Sequence, residues 1–417
     1  MLGIVDTIVI GTFGTAALAG ITAAVSVFVT VMIPVFAFYS GARIMGSQAV
    51  GAGDMVRFGR IMRGSSLVPL GIAAAAALLS IPISRPLMHA MLSGAAIAPA
   101  AASYLVVRCA SLIPIGVSEI AITAFSAAGD TAIALRLLVV INLVHIPLLL
   151  VLALGLGTHH PLGLVGAGIS SLISEVVGAA YCITQLLRRP ELHVFAGRDF
   201  DLKIARANLA LGWPEFVFLV LVIVPEPLTV ALLAPLGVTA VAAFRALGIV
   251  SDLSWALPGS LGQAAQIVVG QRIGAGDVPG ARAFARDAIR YSTIACVVVG
   301  AVTAVLARPI SQLFTQSAML AAIAAGPLAA HMATLPLKGF SMAALAPIRA
   351  AGDTRFTMWM GLISGGLSIA LLWFGIATWH LALWAVPLAW IVAWSARSLV
   401  TWLRYETGDW TTRRLGA

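Results

Sequence analysis

Gly51-Ala52-Gly53-Asp54 reappears as Gly274-Ala275-Gly276-Asp277, and Ala127-Ala128-Gly129-Asp130-Thr131 reappears as Ala350-Ala351-Gly352-Asp353-Thr354. Asp54 and Asp277 stand 223 positions apart, and so do Asp130 and Asp353. One shared tetrapeptide carries little weight in a chain with 40 glycines. Two phrases at one common offset mark a duplicated unit of about half the chain, which has to be read before anything else. The stretches between the phrases are strongly apolar, so the duplicated unit is a set of membrane helices. Membrane proteins built from two similar halves commonly work by rocking one half against the other around a central site.

Composition agrees. The 417 residues are 60% hydrophobic and 10% charged, with a mean hydropathy of +1.03. A soluble domain carries about a quarter of its residues as charges, so lipid must cover most of this surface. The net charge of +9 does not indicate nucleic acid, because the basic residues form no aromatic-interleaved patch. They fall in short clusters between apolar runs, the pattern of positively charged cytoplasmic loops. Cys109, Cys182 and Cys296 lie inside apolar runs with no zinc or redox spacing and read as small packing residues.

Roughly 20 apolar residues span a bilayer. Such runs occur at about 1–20, 23–44, 60–83, 98–127, 132–155, 163–187, 206–234, 239–269, 288–311, 319–348, 355–377 and 380–403. The expected fold is all-α and integral to the membrane, with twelve transmembrane helices in two six-helix repeats. Residues 1–187 form an N-lobe of spans one to six, 188–205 a cytoplasmic linker, and 206–417 a C-lobe of spans seven to twelve. Met1 to Gly11 has no basic leader and reads as a first span shortened at its N-terminus, not as a removable signal.

Charge sets the expected orientation. Arg43, Arg57, Arg60 and Arg63 follow span two, and Arg272, Arg282, Arg286 and Arg290 follow span eight. Arg188, Arg189, Arg198, Lys203 and Arg206 lie between the halves. Arg136, Arg349, Arg355, Arg397, Arg404, Arg413 and Arg414 fall at other even-numbered boundaries. The odd-numbered boundaries hold Arg85, Arg245 and Arg308. About 20 of the 25 basic residues therefore lie on one face, which should be cytoplasmic together with both termini. The two halves then face the same way, related by an axis along the membrane normal. Trp373, Trp379, Trp402 and Trp410 sit near span ends and read as interfacial anchors.

The repeated phrases have a structural explanation. Their glycines can end a helix in the left-handed conformation, and Asp54 can cap the helix that follows. Asp130 and Asp353 are expected to cap spans five and eleven in the same way. A direct part in coupling at a cytoplasmic gate is the alternative.

An ionisable side chain at mid-bilayer costs a few kcal/mol and is functional by default. Among acids these are Asp6, Glu119, Glu175, Glu226 and Asp252; among bases, Arg108, Lys338, His145 and His331. Structural ion pairing is the bland alternative for each. Asp6 has no acidic counterpart in the second half, where the offset leads to Thr229, so the duplication does not keep it as scaffold. Glu226 lies between Pro225 and Pro227, where a helix has to break locally and expose carbonyls. Lys338 can neutralise an acid in the cavity or attract an anionic group.

The order of these features is specific. Val5-Asp6-Thr7 lies in span one, Gln48 and GAGD follow span two, and AAGDT follows span four. Gly163 to Gly168 opens span six, and Gly212-Trp213-Pro214 opens span seven. Pro235-Leu236-Gly237 closes span seven, and Gln271 with GAGD and then AAGDT come later. Over essentially its whole length this chain resembles the multidrug and toxic compound extrusion (MATE) family. The resemblance implies two six-helix lobes around a central cavity. It also implies export of organic, often cationic, compounds against inward flow of H⁺ or Na⁺, with no cofactor and by a monomer. In the family the first-span Asp couples cations, which carries over to Asp6. The span-five asparagines of the family correspond here to Asn142 and His145. The span-seven Glu falls on Val222, with Glu226 the nearest acid, and the span-ten Asp falls on Lys338. Cation coupling is therefore expected at Asp6, Asn142, His145 and Glu226, and a substrate cavity at Glu119, Glu175, Asp252 and Lys338. The departures in the C-lobe favour H⁺ over Na⁺.

Two rivals remain. A lipid-linked oligosaccharide flippase of the same superfamily usually has fourteen spans and an Arg-rich cavity. An intramembrane enzyme needs a nucleophile with a base, or a metal set such as HExxH, and neither pattern occurs; His159-His160 lies in a loop. No ATP-binding motif is present, so a cation gradient is the expected energy source.

Overall fold

The computed structural model describes residues 2–157, 161–197, 201–223, 225–314 and 318–411. Arg198, Arg413, Arg414 and His159-His160 lie outside the described residues, as does the side chain of Arg245. Everything regular among the described residues is helical. The first half comprises α1 (Leu2–Gly11), α2 (Thr15–Gly51), α3 (Met55–Met91), α4 (Ala98–Ala110), α5 (Leu112–Ala127), α6 (Ala132–Leu152) and α7 (Gly163–Leu187). The second comprises α8 (Leu202–Ile223), α9 (Pro225–Leu233), α10 (Val238–Gly274), α11 (Val278–Val305), α12 (Ala307–Phe314), α13 (Ala318–Met332), α14 (Thr334–Ala350), α15 (Thr354–Ala377) and α16 (Ala385–Glu406). Among the described residues, nine helical stretches are long and apolar enough to cross a membrane. Helices α1 and α10 and the α13–α14 pair occupy the other three expected spans. The protein is an all-α, multi-pass membrane protein.

Helices α2, α3 and α10 each have 37 residues, about 55 Å at 1.5 Å per residue. They exceed the roughly 30 Å hydrocarbon thickness and project past it. The first turns of α3 carry the basic residues Arg57, Arg60 and Arg63. Among the described residues four spans expected to be continuous are interrupted, at residues 12–14, Ser111, Leu306 and Ala333. The second and the last of these breaks carry a proline signature. Helix α4 ends at Ala110, four residues before Pro114, and α13 ends at Met332, four residues before Pro336. A proline ring clashes with the carbonyl four positions earlier and supplies no N–H. Prolines such as Pro34, Pro69 and Pro258 lie inside continuous helices, so the ring permits a break without forcing one. Val224, next to the Pro225-Glu226-Pro227 stretch, lies outside the described residues.

The chain divides into two compact units. The first is Met1–Gly46 with Asp54–Trp213, and the second is Ser47–Gly53 with Pro214–Ala417. The stretch 188–205, expected as a linker, clusters with the first unit. Arg63 Nη1 donates to the carbonyls of His193 (2.8 Å) and Val194 (3.1 Å), and Asn208 Nδ2 donates to the Ser65 carbonyl at 3.1 Å. The two Arg63 bonds satisfy carbonyls of an irregular segment, which needs partners once buried. The boundary therefore falls at Trp213, inside α8.

The turns behave as their glycines require. Gly53 and Gly276 have φ of 72° and 76°, and Gly129 and Gly352 have 100° and 85°, a region open to glycine at little cost. Asp54 accepts from the Arg57 N–H at 2.8 Å and Asp277 from the Gly280 N–H at 2.9 Å, so both cap the following helix. Asp130 and Asp353 do not. Asp130 pairs with Arg136 at 2.9 Å and Asp353 with Arg404 at 2.8 Å, and neither carboxylate bonds a helix-start N–H. A guanidinium in reach offers a charge-assisted bond, although Asp277 keeps its cap while also pairing with Arg272 at 2.8 Å.

The first glycine of each GAGD serves another purpose. In the second unit, which includes Ser47–Gly53, a Cβ on Gly51 would lie 1.8 Å from the Gln271 carbonyl oxygen. A Cβ on Gly274 would lie 2.0 Å from the Gln48 carbonyl oxygen. The two helix ends cross backbone to backbone, and Gln48 Nε2 donates to the Ala350 carbonyl at 2.7 Å. Small residues permit this approach where lipid supplies no hydrophobic drive between helices.

Trp373 and Trp379 are exposed, as anchors should be. Trp410 is buried, stacked on Tyr405 with its Nε1 donating to the Tyr405 carbonyl at 3.1 Å. It is a packing residue, because its indole N–H finds a partner inside the protein.

Candidate functional site

The first unit gathers one carboxylate and three donors. Helix α1 places Asp6 against α4, α6 and α7, and the side chain is fully buried. Asp6 Oδ1 lies 2.9 Å from His145 Nε2 on α6. Its Oδ2 accepts from the Tyr104 hydroxyl on α4 at 3.2 Å and from Ser171 Oγ on α7 at 3.1 Å. Tyr104, His145 and Ser171 are themselves 0% exposed. His145 Nδ1 is buried with no hydrogen-bond partner among the described residues. Four helices are thus tied through one carboxyl group. The Asp6–His145 pair can hold a proton on either atom, and losing or gaining one changes the charge of a dry site by a full unit.

Other polar groups continue from this cluster. Glu175, one turn along α7 from Ser171, is buried and lies within electrostatic range of Arg108 and His145. Glu119 on α5 is half-buried and within range of Arg43 and Glu175. Arg108 packs its guanidinium over the Phe28 ring at 4.2 Å. Asn142 is turned to its own helix, where Nδ2 donates to the Leu138 carbonyl at 2.8 Å.

The second unit holds a cavity of about 220 Å³. Glu226, Asp252 and Lys338 all line it, which brings together residues expected in separate roles. Lys338 is buried; its Nζ lies 3.5 Å from Ser251 Oγ. It also lies 5.8, 5.7 and 5.9 Å from the ring centroids of Trp255, Trp390 and Trp394. Ser251 Oγ is in turn 3.0 Å from His331 Nε2. Arg397, counted from sequence with the cytoplasmic loops, is buried and lines the same cavity. Its guanidinium lies 4.7 Å from Trp394 and 5.1 Å from Phe218, with Nε donating to Ser341 Oγ at 3.2 Å. Elsewhere in the second unit, Arg349 makes a two-pronged ion pair with the buried Glu215.

With this geometry in view, comparison with known proteins is direct. The family model described as MatE matches residues 1–151 and 215–374, well over half of the chain. The chain belongs to the MatE family. Its relatives include "Probable multidrug resistance protein NorM" of Rhizobium meliloti (strain 1021), 26% identical over 302 residues, 69% of this chain and 62% of that protein. The protein of the same name from Pasteurella multocida (strain Pm70) is 30% identical over 198 residues, 43% of this chain and 42% of that protein. The chain spans less than two thirds of the length of these curated relatives. A solved structure described as the outward-facing conformation of a multidrug resistance MATE family transporter matches with a TM-score of 0.90 at 18% identity. That match covers 100% of this chain and 92% of the other, and shows the MatE fold.

Sequence reading of this MatE chain singled out Asp6 and His145 and missed Tyr104 and Ser171, which complete their cluster. A tyrosine and a serine in apolar helices carry no signal of their own. It singled out Lys338 and missed the tryptophans around it. It also missed Glu215, although an acid next to Pro214 in an apolar run was a visible cue.

Proposed function

We propose that the protein is a secondary antiporter of the bacterial inner membrane that exports small organic compounds in exchange for protons. The observation that carries this reading is the Asp6 cluster: a fully buried carboxylate held by His145, Tyr104 and Ser171 across four helices. With Asp6 ionised, all three partners donate to it. With Asp6 protonated, it donates to His145 Nε2 and one hydrogen bond reverses. Proton uptake thereby changes the relative stability of two arrangements of α1, α4, α6 and α7, which is what coupling requires. Export as the activity is further supported by the names of the relatives, which are multidrug resistance proteins.

Protons fit this site better than Na⁺. A hard cation takes oxygen ligands, whereas one Asp6 oxygen is engaged by an imidazole nitrogen. In the second unit, Lys338 puts a fixed positive charge in the cavity that Glu226 lines, and that charge disfavours a metal cation there. We place both termini in the cytoplasm, from the distribution of basic residues, and take the working unit to be a monomer.

The test is transport in proteoliposomes with a panel of organic dyes under imposed gradients. A pH gradient is expected to drive accumulation, and a Na⁺ gradient at constant pH is expected to leave it at the no-gradient level. Na⁺-driven transport abolished by Glu226→Gln would move the coupling site to the second unit.

A further inference from the structure

We propose that the cavity of the second unit binds an aromatic carboxylate: one or two flat rings carrying a single anionic group. The cavity holds two buried cations, Lys338 and Arg397. Among the described residues no carboxylate lies within ion-pair distance of either. Buried charges are ordinarily paired, because leaving water costs them their hydration. Here indole faces stand in for counter-ions: three around Lys338 and one, shared with Lys338, against Arg397. Such faces attract a cation and leave its N–H donors unused. Lys338 has three donors and one contact, to Ser251 at 3.5 Å. A carboxylate entering between Lys338 and Arg397 meets charge-assisted donors, the strongest kind.

The walls choose the rest of the ligand. Trp255, Trp390 and Trp394 offer flat apolar surfaces, on which aromatic rings stack offset or edge-on. His331 also lines the cavity, with Nε2 on Ser251 and a buried Nδ1 that has no hydrogen-bond partner among the described residues. At about 220 Å³ the space is below the roughly 300–1,000 Å³ of drug-sized pockets, so the occupant is small. Glu226 and Asp252 line the cavity too, and neither is free. Asp252 is exposed and acts electrostatically on Lys338. As a statement about cargo, this inference rests on the export reading above; as a binding site it does not.

The experiment is calorimetric titration of the protein in lipid nanodiscs, with no gradient, using 2-naphthoate, 2-naphthamide and 2-naphthylmethylammonium. The acid is expected to bind at least tenfold tighter than the amide, and the ammonium most weakly. Lys338→Met should bring the acid to the level of the amide, Lys338→Arg should keep the preference, and Trp390→Ala should weaken acid and amide alike. Equal binding of acid and amide, tightest binding of the ammonium, no binding of any of the three, or an intact preference in folded Lys338→Met would each overturn the site. If Lys338→Met does not fold, Arg397→Met replaces it, and retention of the full preference there overturns the site equally. Binding of the acid without proton-driven export would remove the export reading and keep the site. Export without acid preference in binding would remove the site alone.

Discussion

Asp6→Asn is expected to reduce export driven by a pH gradient to background while the protein inserts and folds as before. Asparagine matches aspartate in size, and its amide can satisfy the same partners. The carbonyl can accept from Tyr104 and Ser171, now at 3.2 and 3.1 Å from Asp6, and the NH₂ can donate to neutral His145 Nε2. The substitution also removes a buried charge, which lowers the cost of placing α1 in the membrane. What it cannot do is exchange a proton. Asp6→Glu retains a titratable group displaced by a methylene and should keep partial activity. The measurement is dye export from proteoliposomes, normalised to folded protein by size-exclusion elution. Wild-type export by Asp6→Asn would make Asp6 structural and send the search for coupling to Glu226 or Glu175.

Gly51→Ala and Gly274→Ala should each destabilise the protein heavily, although a methyl group is the smallest side chain that can be added. The new carbon would lie 1.8 or 2.0 Å from a backbone carbonyl oxygen. No rotamer change relieves that clash, because the obstacle is main chain, so one helix end has to move. Overpacking of this kind costs about 1–3 kcal/mol where side chains can adjust, and more is expected where only backbone can. Gly71→Ala is the control, since among the described residues nothing lies within 4 Å of a Cβ there and alanine favours a helix. Thermal unfolding in detergent should place both GAGD variants well below wild type and Gly71→Ala level with it. If the GAGD variants melt with the wild type, the crossing is looser than described and the duplicated glycines serve the turn alone.

Much of this molecule is written in local features of the chain. Apolar run length located the spans because crossing lipid is a demand on every 20 consecutive residues. The glycines of GAGD and AAGDT marked helix ends because a positive φ is a property of one residue and its neighbours. The expected spans 23–44 and 239–269 differ in length, whereas α2 and α10 have 37 residues each and lie at the 223-position offset of the repeat. Where a local rule had a competitor, reading the chain alone chose wrongly. Asp130 and Asp353 look like caps, yet Arg136 and Arg404 take them. Arg397 looks like a loop cation and Trp410 like an anchor, and both are buried.

The chemistry of the sites belongs to the tertiary structure. Asp6 stands 98, 139 and 165 positions from Tyr104, His145 and Ser171, and nothing in the spacing links them. Hydropathy says that a residue lies in a membrane helix; it does not say how that helix is rotated about its axis. That rotation is set by packing against neighbours, through small residues and hydrogen bonds between helices. It turned Asp6 toward three donors, and it turned Lys338 and Arg397 toward indole rings. The sequence by itself determined which charges had to be buried. Helix packing decided which of them meet, because the free energy of a buried charge depends on its partners and those partners come from distant parts of the chain.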